Sequence, residues 1–518
     1  MSKGKFYMET HEKVQESTYD LDNMVKIPAY TITKAMEKQH KSKRFIDIDL
    51  KSIPDPEMSS VKSISFNRTY TVGDHFHVKI ILRDVLGRRL QSGGDVLRIW
   101  LVNYKLEANV IGTTTYIGNG TYIGQVLLPW KGHATLLVSI AQTRQAITSV
   151  MSVINGYGNL YEMYGLFSNE VDPYHGETEK TLCSTVANPR MGKDVCNLTS
   201  QNFGYSWFCA KPKCLRCQDW KAVRGRMLTY LPEYIVNKTR KQHMVLKKRV
   251  ELQIHGETET MPRSRIPCEN RPKTSTWTDQ VPTGFYFKNT WNFINCRSRT
   301  TWTEQTYQQC LKGRHLLIIG DSTTRQIFGY LTDQLKLSFY PAPRPKGPYV
   351  HFVFGYNRPN NVSVSWFPHE HPFFNAQYLL TRSMQSASKR LDNIGRHNNS
   401  VILIHLWAHH VRTPPHVFRQ HVRGISNSVQ RLLLRSPKVS IFIKGPHATL
   451  DRKCIIPVDY LKSIHKQIWV DEFRDLQDKV IFLDVWDMTA GSENVYIHPE
   501  IKLVSDIVHT FMSYACPS

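Results

Sequence analysis

The sequence predicts a multidomain protein in which an immunoglobulin-like β-sandwich precedes a C-terminal α/β domain with a parallel sheet. Two hydrophobic patterns indicate this fold class. Short strand-like segments separated by turns fill residues 61–155, whereas compact apolar strands alternate with helical periodicity over residues 268–518. A third observation is a dense group of cysteines between the two patterns, within residues 156–267. We therefore predict four segments, of which the first, residues 1–60, is a polar N-terminal segment.

The composition is that of a folded protein with a strong positive charge. Of its 518 residues, 41% are hydrophobic, and 67 Lys and Arg residues outnumber 43 Asp and Glu residues to give a formal charge of +24. This balance excludes a wholly disordered, collagenous or coiled-coil protein. No run approaches eighteen apolar residues, so we expect no transmembrane segment in this chain. The basic residues, including the run from Lys238 to Arg249, accompany no nucleic-acid-binding motif, so we expect acidic glycans and not nucleic acid as partners.

The β-sandwich is predicted from strands with alternating apolar residues. The segments TYTVGDHFHVKIILRD, GDVLRIWLVN, GNGTYIGQVLLPW and HATLLVSIA are rich in Val, Ile, Leu and Tyr and are separated by Gly, Asn and Asp. This spacing is typical of a sandwich of immunoglobulin type. The segment has no obvious catalytic constellation.

The cysteine-rich block predicts disulfides. Five of the ten cysteines lie between Cys183 and Cys217, in a stretch with few core-forming residues. Cys214 and Cys217 form a C-x-x-C motif that could bind zinc, but no second Cys or His pair follows at zinc-finger spacing. Disulfides are therefore the better interpretation of this block.

The compartment is predicted to be the Golgi lumen or the secreted space. The chain has six Asn-x-Ser/Thr glycosylation motifs, at Asn67, Asn119, Asn197, Asn237, Asn361 and Asn398. The first residues, MSKGKFYMETHEKV, have no apolar signal-peptide core. We expect the targeting segment to be absent from this chain or to lie upstream of it.

The C-terminal half predicts a doubly wound parallel sheet. Its strands are HLLIIGD, VILIHLWAHH, KVSIFIKGP and KVIFLDVWDM, and after the first of them Ile327, Leu331 and Leu335 recur every four residues. In such a sheet, ligand chemistry is expected at the carboxyl ends of the strands.

The segment IIGDSTTRQ carries the candidate nucleophile. A strand runs into Gly320, Asp321 and Ser322, and a helix is predicted to begin at once. Gly320 permits a tight backbone, and Ser322 stands beside helix N-terminal amides that could stabilise an oxyanion. A phosphate loop would end in Gly-Lys-Ser/Thr, which is missing. Gly-Asp-Ser by itself is also an ordinary turn and helix cap.

A base for this serine is predicted near the C-terminus. His498 follows the strand VIFLDVWDM in a loop before the last helix. Because Ser322 and His498 each follow a strand, their loops can meet above the sheet. His498 could then take the proton of Ser322 and return it to a leaving group. The alternative is a loop histidine without a catalytic task.

These motifs resemble the neurexophilin and PC-esterase domain (NXPE) family from about Ser60 to Cys516. The N-terminal resemblance is carried by FNRTYTVGDHFHVKIILRD, GGDVLRIWLVN, GNGTYIGQVLLPWKG and WFCAKPKCLRC, and the C-terminal one by IIGDSTTRQ, LLLRSPKVSIFIK, LDVWDMTAGSENVYIHPE and SYAC. The resemblance implies a neurexophilin-like sandwich and an SGNH-type, PC-esterase-like domain. It further implies a relation to plant polysaccharide O-acetyltransferases and to animal sialate O-acetyltransferase, and hence acyl transfer on glycans.

The resemblance also implies roles for single residues. Ser322 is similar in position to the family nucleophile and His498 to its base, and Arg325 resembles an oxyanion or substrate clamp. Further candidates for oxyanion or substrate binding are Gly320, Asp321, Thr323 and His409.

Two positions depart from the pattern. Val495 stands where the acid three residues before the histidine is usual, so we predict that Asp487 orients His498, with Asp484, Glu493 or a simple Ser–His dyad as alternatives. The block that holds an oxyanion Gly and Asn in many SGNH enzymes corresponds to Leu406–His410, which contains neither, and there His409 could donate a hydrogen bond.

A metal site is the less favoured interpretation of the histidines. No HExxH or comparable spacing connects the candidate histidines, which are at positions 369, 371, 405, 409, 410 and 416. We expect no metal and no bound cofactor, and these rings could instead line a site for an anionic sugar.

The sequence thus predicts a lumenal or secreted O-acetyltransferase that moves acetyl from acetyl-CoA through acyl-Ser322 to a glycan hydroxyl, by family analogy on sialic acid of glycoproteins. The same chemistry serves a glycan O-acetyl esterase when water is the acceptor. An alternative of another class is a secreted binding glycoprotein whose sandwich engages a cell-surface receptor and whose esterase-like domain is degenerate.

Overall fold

The computed structural model describes residues 50–64, 68–170, 176–229, 231, 236–237, 243–299, 301–340, 352–396, 399–449 and 455–516. Within these ranges, no helix has both the length and the apolar character that crossing a membrane requires. The glycosylation motifs at Asn67 and Asn398 lie outside the described residues. Asn119, Asn197, Asn237 and Asn361 are all exposed, as glycan attachment requires.

The strands of the described residues are, in chain order, β1 Ser60–Ser63, β2 Tyr70–Thr71, β3 His75–Ile81, β4 Val96–Asn103, β5 Ala108–Ile111, β6 Thr113–Gly118, β7 Thr121–Leu127, β8 Gly132–Gln142, β9 Tyr161–Ser168, β10 Thr178–Ser184, β11 Val195–Asn197, β12 Phe208–Ala210, β13 Trp220–Thr229, β14 Met244–Val245, β15 Val250–His255, β16 Gly284–Phe287, β17 Thr290–Phe293, β18 His315–Gly320, β19 Ser338–Tyr340, β20 Val353–Asn357, β21 Val362–Pro368, β22 Leu379–Leu380, β23 Val401–His405, β24 Ser440–Lys444 and β25 Val480–Leu483. The α-helices are α1 Arg144–Tyr157, α2 Glu304–Leu311, α3 Ser322–Gln334, α4 Ala387–Asp392, α5 Pro415–Arg435, α6 Val458–Glu472, α7 Trp486–Gly491 and α8 Ile501–Ala515. Short 3-10 helices are Tyr104–Leu106, Pro189–Met191, Cys217–Asp219, Cys268–Asn270, Lys273–Trp277, Thr381–Ser383, His410–Arg412 and Arg474–Leu476.

The N-terminal part is a sandwich of two sheets. A four-stranded sheet has the order β1-β3-β7-β6, and an eight-stranded sheet has the order β17-β16-β5-β4-β8-β15-β2, with β14 beside β8. Alternate residues of β3, namely Phe76, Val78 and Ile80, enter a core that they share with Leu101 of β4 and Val138 of β8. The immunoglobulin type of the sandwich stays a prediction.

The sandwich takes strands from far along the chain. β14 to β17, between residues 244 and 293, all join its larger sheet. The predicted domain boundaries at residues 155 and 267 stay predictions, but this sheet crosses both of them. Local alternation indicates that a segment such as VELQIH is a strand without indicating its pairing partner.

The cysteine block forms a third sheet, in the order β11-β12-β10-β9-β13-β22. Cys183–Cys209 and Cys196–Cys217 cross-link it, and Cys268–Cys296 and Cys310–Cys516 lie further along. The prediction of disulfides is confirmed. Because Cys217 is bonded to Cys196, the C-x-x-C motif cannot offer two thiolates to zinc, and Cys214 is an exposed free thiol.

The C-terminal sheet is parallel in its centre, as predicted. Its order is β19-β20-β21-β18-β23-β24-β25. The five strands β21, β18, β23, β24 and β25 pair in parallel, whereas β19 and β20 pair antiparallel at one edge of the sheet. Alternate side chains of β18 enter opposite cores, with Ile319 on the face of α5 and α6 and Ile318 on the face of α3 and α8. Helices therefore cover both faces, and the carboxyl end of β18 lies in the middle of the sheet.

A buried ion pair joins the sandwich to the α/β domain. Arg98 of β4 binds both carboxylate oxygens of Asp459 at the start of α6, at 2.8 Å and 3.0 Å, and both side chains are buried. Gln142 of β8 accepts a hydrogen bond from the Tyr460 backbone at 2.9 Å. The two domains are thus held in one relative orientation by charge-assisted contacts.

We expect Arg98→Ala to destabilise the protein by about 3–5 kcal/mol, because it leaves the carboxylate of Asp459 buried without its partner. Urea unfolding followed by tryptophan fluorescence measures the change. The matched control is Arg68→Ala, which breaks an exposed ion pair with Asp74 and is expected to cost about 1 kcal/mol or less. Equal effects of the two variants would contradict this account of the domain contact.

Candidate active site

Ser322 is the first residue of α3, directly after the central strand β18. The turn before it requires glycine: a Cβ on Gly320 would lie 2.5 Å from the His405 carbonyl oxygen and 2.8 Å from Thr324 Oγ1. As the first residue of a helix, Ser322 has a backbone N–H with no intrahelical acceptor, and no other described group accepts from it. That N–H is available to an oxyanion formed at the serine.

Asp321 caps α3 and ties the serine turn to the next loop. Its Oδ1 accepts hydrogen bonds from the Thr323 N–H at 2.9 Å and hydroxyl at 2.7 Å, and its Oδ2 accepts from the Ala408 N–H at 2.8 Å. Burial alone raises the pKa of Asp321, but the neighbouring His405 and His409 and these hydrogen bonds hold it well below its usual range. We predicted Asp321 and Thr323 as oxyanion or substrate groups. The structure instead pairs their polar groups with each other, so they position Ser322.

Ser322 and His498 meet as the sequence predicts. His498 Nε2 lies 2.7 Å from Ser322 Oγ, a hydrogen-bonding distance suited to proton transfer from the serine. Partial burial lowers the pKa of His498, Asp321 opposes this effect, and the guanidinium groups of Arg325 and Arg412 reinforce it. A lowered pKa keeps the ring neutral at pH 7, which is the form that acts as a base.

None of the three candidate acids orients His498 through a hydrogen bond. Asp487 is buried in α7, where its Oδ2 accepts from the Thr283 N–H at 2.7 Å and where burial and Asp484 raise its pKa to about 6. Asp484 binds Lys466 at 2.7 Å, and Glu493 accepts from the Trp100 indole at 2.9 Å. Because all three carboxylates are engaged elsewhere, the expectation that Asp487 orients the base is corrected. Within the described chain, the pair is a Ser–His dyad.

Backbone anchors hold the histidine loop in place of an acid. Gln326, one turn after Ser322 on α3, donates to the Pro499 carbonyl at 2.9 Å. His447, after β24, donates from Nε2 to the Ile497 carbonyl at 2.9 Å. These bonds fix the carbonyls on both sides of His498. Sequence reasoning missed both anchors, although Gln326 is on the same helix as Ser322 and His447 follows a strand end of the same sheet.

A buried lysine in turn supports His447. Lys444 Nζ lies 3.4 Å from His447 Nδ1 and 3.3 Å from His405 Nε2, and burial lowers its pKa to about 7. A donor at Nδ1 places the proton of neutral His447 on Nε2, where it reaches the Ile497 carbonyl. Lys444 therefore positions the His498 loop through His447.

Two arginines lie close enough to His498 to affect its charge state. Arg325 lies on α3 with its guanidinium carbon 5.7 Å from the centre of the Trp366 ring, and Arg412 packs 4.4 Å from the centre of the Phe374 ring. Both charges act on His498. Arg325 was predicted from the family pattern, whereas nothing in the spacing around Arg412 pointed to it. Together they make the neighbourhood of the dyad favourable for an anionic group.

His409 lies near the dyad but with its proton directed away. His369 Nδ1 bonds to the Glu370 carbonyl at 2.7 Å, so His369 Nε2 accepts a hydrogen bond, and His409 Nδ1 lies 3.0 Å from it. Burial lowers the pKa of both rings, so both are neutral. In that tautomer His409 Nε2 is an acceptor. The expected donation by His409 to an oxyanion is therefore corrected, since that nitrogen has no hydrogen.

The other candidate histidines are not arranged around a metal. No set of three or more potential ligands in the described residues could hold a metal ion. His405 bonds to the Lys444 carbonyl at 2.8 Å, and Glu370 binds His421 at 2.7 Å. His371 and His410 are buried, and His416 is exposed.

A comparison with protein families agrees with the assignment made from the motifs. Residues 291–516 match the family model described as NXPE family member 4-like, C-terminal domain. The match supports an NXPE-type C-terminal domain over these residues. This NXPE-type region contains β18, α3, the loop of Arg412 and the loop of His498, so the whole dyad and both arginines lie within it.

Similar solved structures include three family 2 carbohydrate esterases. The enzyme with a carbohydrate-binding domain from Corynascus thermopiles (Myceliophthora fergusii) is 12% identical, covers 75% of this chain and 95% of its own and has a TM-score of 0.24. An active-site mutant from Clostridium thermocellum is 10% identical, with coverages of 88% and 97% and a TM-score of 0.22. The Cellvibrio japonicus enzyme is 8% identical, with coverages of 88% and 98% and a TM-score of 0.19.

Proposed function

We propose that this protein is a serine-dependent O-acetyltransferase of the secretory pathway that acetylates glycans. The observation that supports the proposal most directly is the 2.7 Å contact between His498 Nε2 and Ser322 Oγ at the carboxyl end of a central parallel strand. The motifs further suggest the first member of the NXPE family, and the disulfides and exposed glycosylation motifs suit a lumenal or secreted location.

In the first half-reaction, Ser322 Oγ attacks the acetyl carbonyl of acetyl-CoA while His498 Nε2 takes the hydroxyl proton. The oxyanion forms beside the Ser322 N–H. As the carbon–sulfur bond breaks, the thiolate of CoA leaves with the proton from His498, and acetyl-Ser322 remains. The ionised Asp321 below the dyad stabilises the imidazolium in between, since its charge raises the pKa of His498.

In the second half-reaction, His498 removes a proton from a glycan hydroxyl, which attacks acetyl-Ser322. The tetrahedral intermediate collapses with the carbon–oxygen bond to the serine broken, and Ser322 Oγ recovers the proton from His498. The reaction balances without a metal or a redox partner.

The charge around the dyad favours an anionic acceptor. Arg325 and Arg412 both act on His498, so a carboxylate next to the accepting hydroxyl would be neutralised there. A sialic acid offers both groups on one sugar. We therefore propose sialylated glycoproteins as substrates.

Arg412→Ala is expected to raise the KM for a sialylated acceptor by roughly tenfold or more, because a charge-assisted contact is lost, and to leave the KM for a neutral acceptor within about twofold. Initial acetylation rates at varied acceptor concentration measure both constants. Arg419→Ala, which removes a surface arginine paired with Glu472, is the control. A uniform rise in KM for both acceptors would count against a carboxylate contact.

A glycan O-acetyl esterase is the second candidate, and the open position of the dyad favours it. His498 is exposed, so water can reach an acetyl group on Ser322. In the receptor-binding alternative, the β-sandwich docks on a cell-surface receptor. That function does not require Ser322 and His498 to be in contact, so it does not account for their hydrogen bond.

One incubation separates the three functions. The protein, expressed through a secretory pathway, is mixed with acetyl-CoA and a sialylated glycoprotein, and sugar O-acetylation is read by mass spectrometry beside Ser322→Ala. Acetylation that is lost in the variant supports the transferase. Removal of acetyl groups from a pre-acetylated glycan supports the esterase, and folded protein that does neither would contradict an enzymatic role.

A further inference from the structure

A cleft of about 480 Å³ lies between the β-sandwich and the loop that carries His498. It is lined from the β-sandwich by residues of 102–109 and the β16–β17 hairpin, and from the C-terminal part by residues of 491–496 and the beginning of α8. Tyr496 and Glu500, two residues before and two after His498, both line it. The same loop therefore borders the dyad and the cleft.

Two exposed tyrosines, Tyr104 from the β-sandwich and Tyr496 from the loop of His498, line this interdomain cleft. Tyr104 is 67% exposed and Tyr496 is 55% exposed, and Val495 beside Tyr496 is also largely exposed. Single exposed apolar residues are ordinary, but a group of them around one concave site marks a binding surface. Flat aromatic faces pack against the C–H faces of ring-shaped ligands.

The remaining lining is acidic and rich in hydrogen-bond acceptors. Asp506 is neutralised by Lys502 at 2.7 Å, and Glu493 is bound by the Trp100 indole. Glu107 and Glu500 have no ion pair in the described part of the chain. These carboxylates repel an anionic ligand and can accept hydrogen bonds from the O–H or N–H groups of a neutral one.

Exposed aromatic faces and carboxylates without an ion pair together describe a ligand with apolar ring faces and many hydroxyls.

We propose that the interdomain cleft binds a neutral saccharide, of hexose and N-acetylhexosamine units, stacked across Tyr104 and Tyr496. This inference rests on the proposed function. The saccharide is the neutral part of the acceptor glycan, and the terminal acidic sugar of that glycan lies at Arg325 and Arg412. The β-sandwich then contributes directly to substrate binding, through Tyr104 and Glu107.

The test measures binding of N-acetyllactosamine to full-length Ser322→Ala protein by saturation-transfer NMR and by titration calorimetry. We expect Tyr104→Ala and Tyr496→Ala each to raise the Kd roughly three- to tenfold, as the loss of one stacked ring does. The control is Tyr340→Ala, which removes a tyrosine that is 68% exposed and lies outside the cleft, and it should bind as before.

The outcomes separate this inference from the acyl-transfer proposal. Absence of N-acetyllactosamine binding, or binding that neither cleft variant weakens, would overturn the inference whatever the activity. Tighter binding of a sulfated than of a neutral disaccharide at the cleft would overturn it as well, because the lining is acidic. Binding that depends on Tyr104 and Tyr496, in a protein whose Ser322 forms no acyl intermediate, would support the saccharide site in the cleft. It would refute the proposed acetyltransferase function alone.

Discussion

Replacing Ser322 with alanine is expected to lower acetyl transfer to glycans by about a thousandfold or more. The reason is that the variant lacks the atom that forms the acyl intermediate, while the oxyanion N–H and the substrate contacts remain. Initial rates of glycan O-acetylation by mass spectrometry measure the loss. Free CoA release, followed with a thiol reagent, provides a second readout of the same step.

The control for this variant is Ser505→Ala, which removes a serine hydroxyl on α8 whose one hydrogen bond within the described residues is to the local Lys502 carbonyl. Both variants should unfold at the temperature of the wild type, since neither hydroxyl supports the core. A Ser322→Ala protein that is folded and transfers acetyl at the wild-type rate would exclude the serine mechanism.

Replacing His498 with alanine is expected to have an effect of similar size, because it removes the base that is hydrogen-bonded to Ser322 Oγ. His498→Gln keeps a hydrogen-bonding side chain but cannot carry the proton, so it should be equally impaired. Rates of CoA release measure both variants. Gln326→Ala, which frees the Pro499 carbonyl, should lose much less activity, because the His447 bond still holds the loop. A His498→Gln enzyme with substantial activity would contradict the assignment of the base.

The pH dependence of the wild-type rate follows from the same residue. The pKa of His498 is lowered from its ordinary 6.5 by partial burial and by the two arginines. The neutral ring is the active form, so the rate should rise with pH through a value below 6.5 and then level off. Arg412→Ala removes one positive charge and should move this rising limb to higher pH. A limb that moves to lower pH in the variant would reverse the sign of the electrostatic argument.

The sequence identified the two dyad residues because each follows an apolar strand, and parallel strands place their carboxyl ends together. The sequence did not predict correctly which residue holds the His498 ring in place. Asp487 and Asp484 are close to His498 along the chain, but Asp487 on α7 accepts from the Thr283 N–H, and Asp484, between β25 and α7, pairs with Lys466. Where a side chain points after a short helix depends on tertiary packing, which spacing along the chain does not report.

In the fold, too, local features could be predicted from the sequence, whereas long-range contacts could not. Runs of apolar residues predicted the strands and the parallel sheet, since burial on both faces requires them. The pairing of β15 and β16 with the N-terminal sandwich was not predicted, because strands from distant parts of the chain carry no local sign of their partners. The interdomain cleft arises from that long-range pairing, and so it too was absent from the sequence-based picture.

The most direct measurement of the central claim is the mass of the protein after brief mixing with acetyl-CoA in the absence of an acceptor. Peptide mapping of the quenched sample is expected to find one acetyl group on the peptide that contains Ser322, and none in Ser322→Ala or His498→Ala. Addition of a sialylated glycan should discharge that acetyl group onto sugar. A glycan that becomes acetylated while Ser322 never carries the acetyl group would contradict the acyl-serine mechanism.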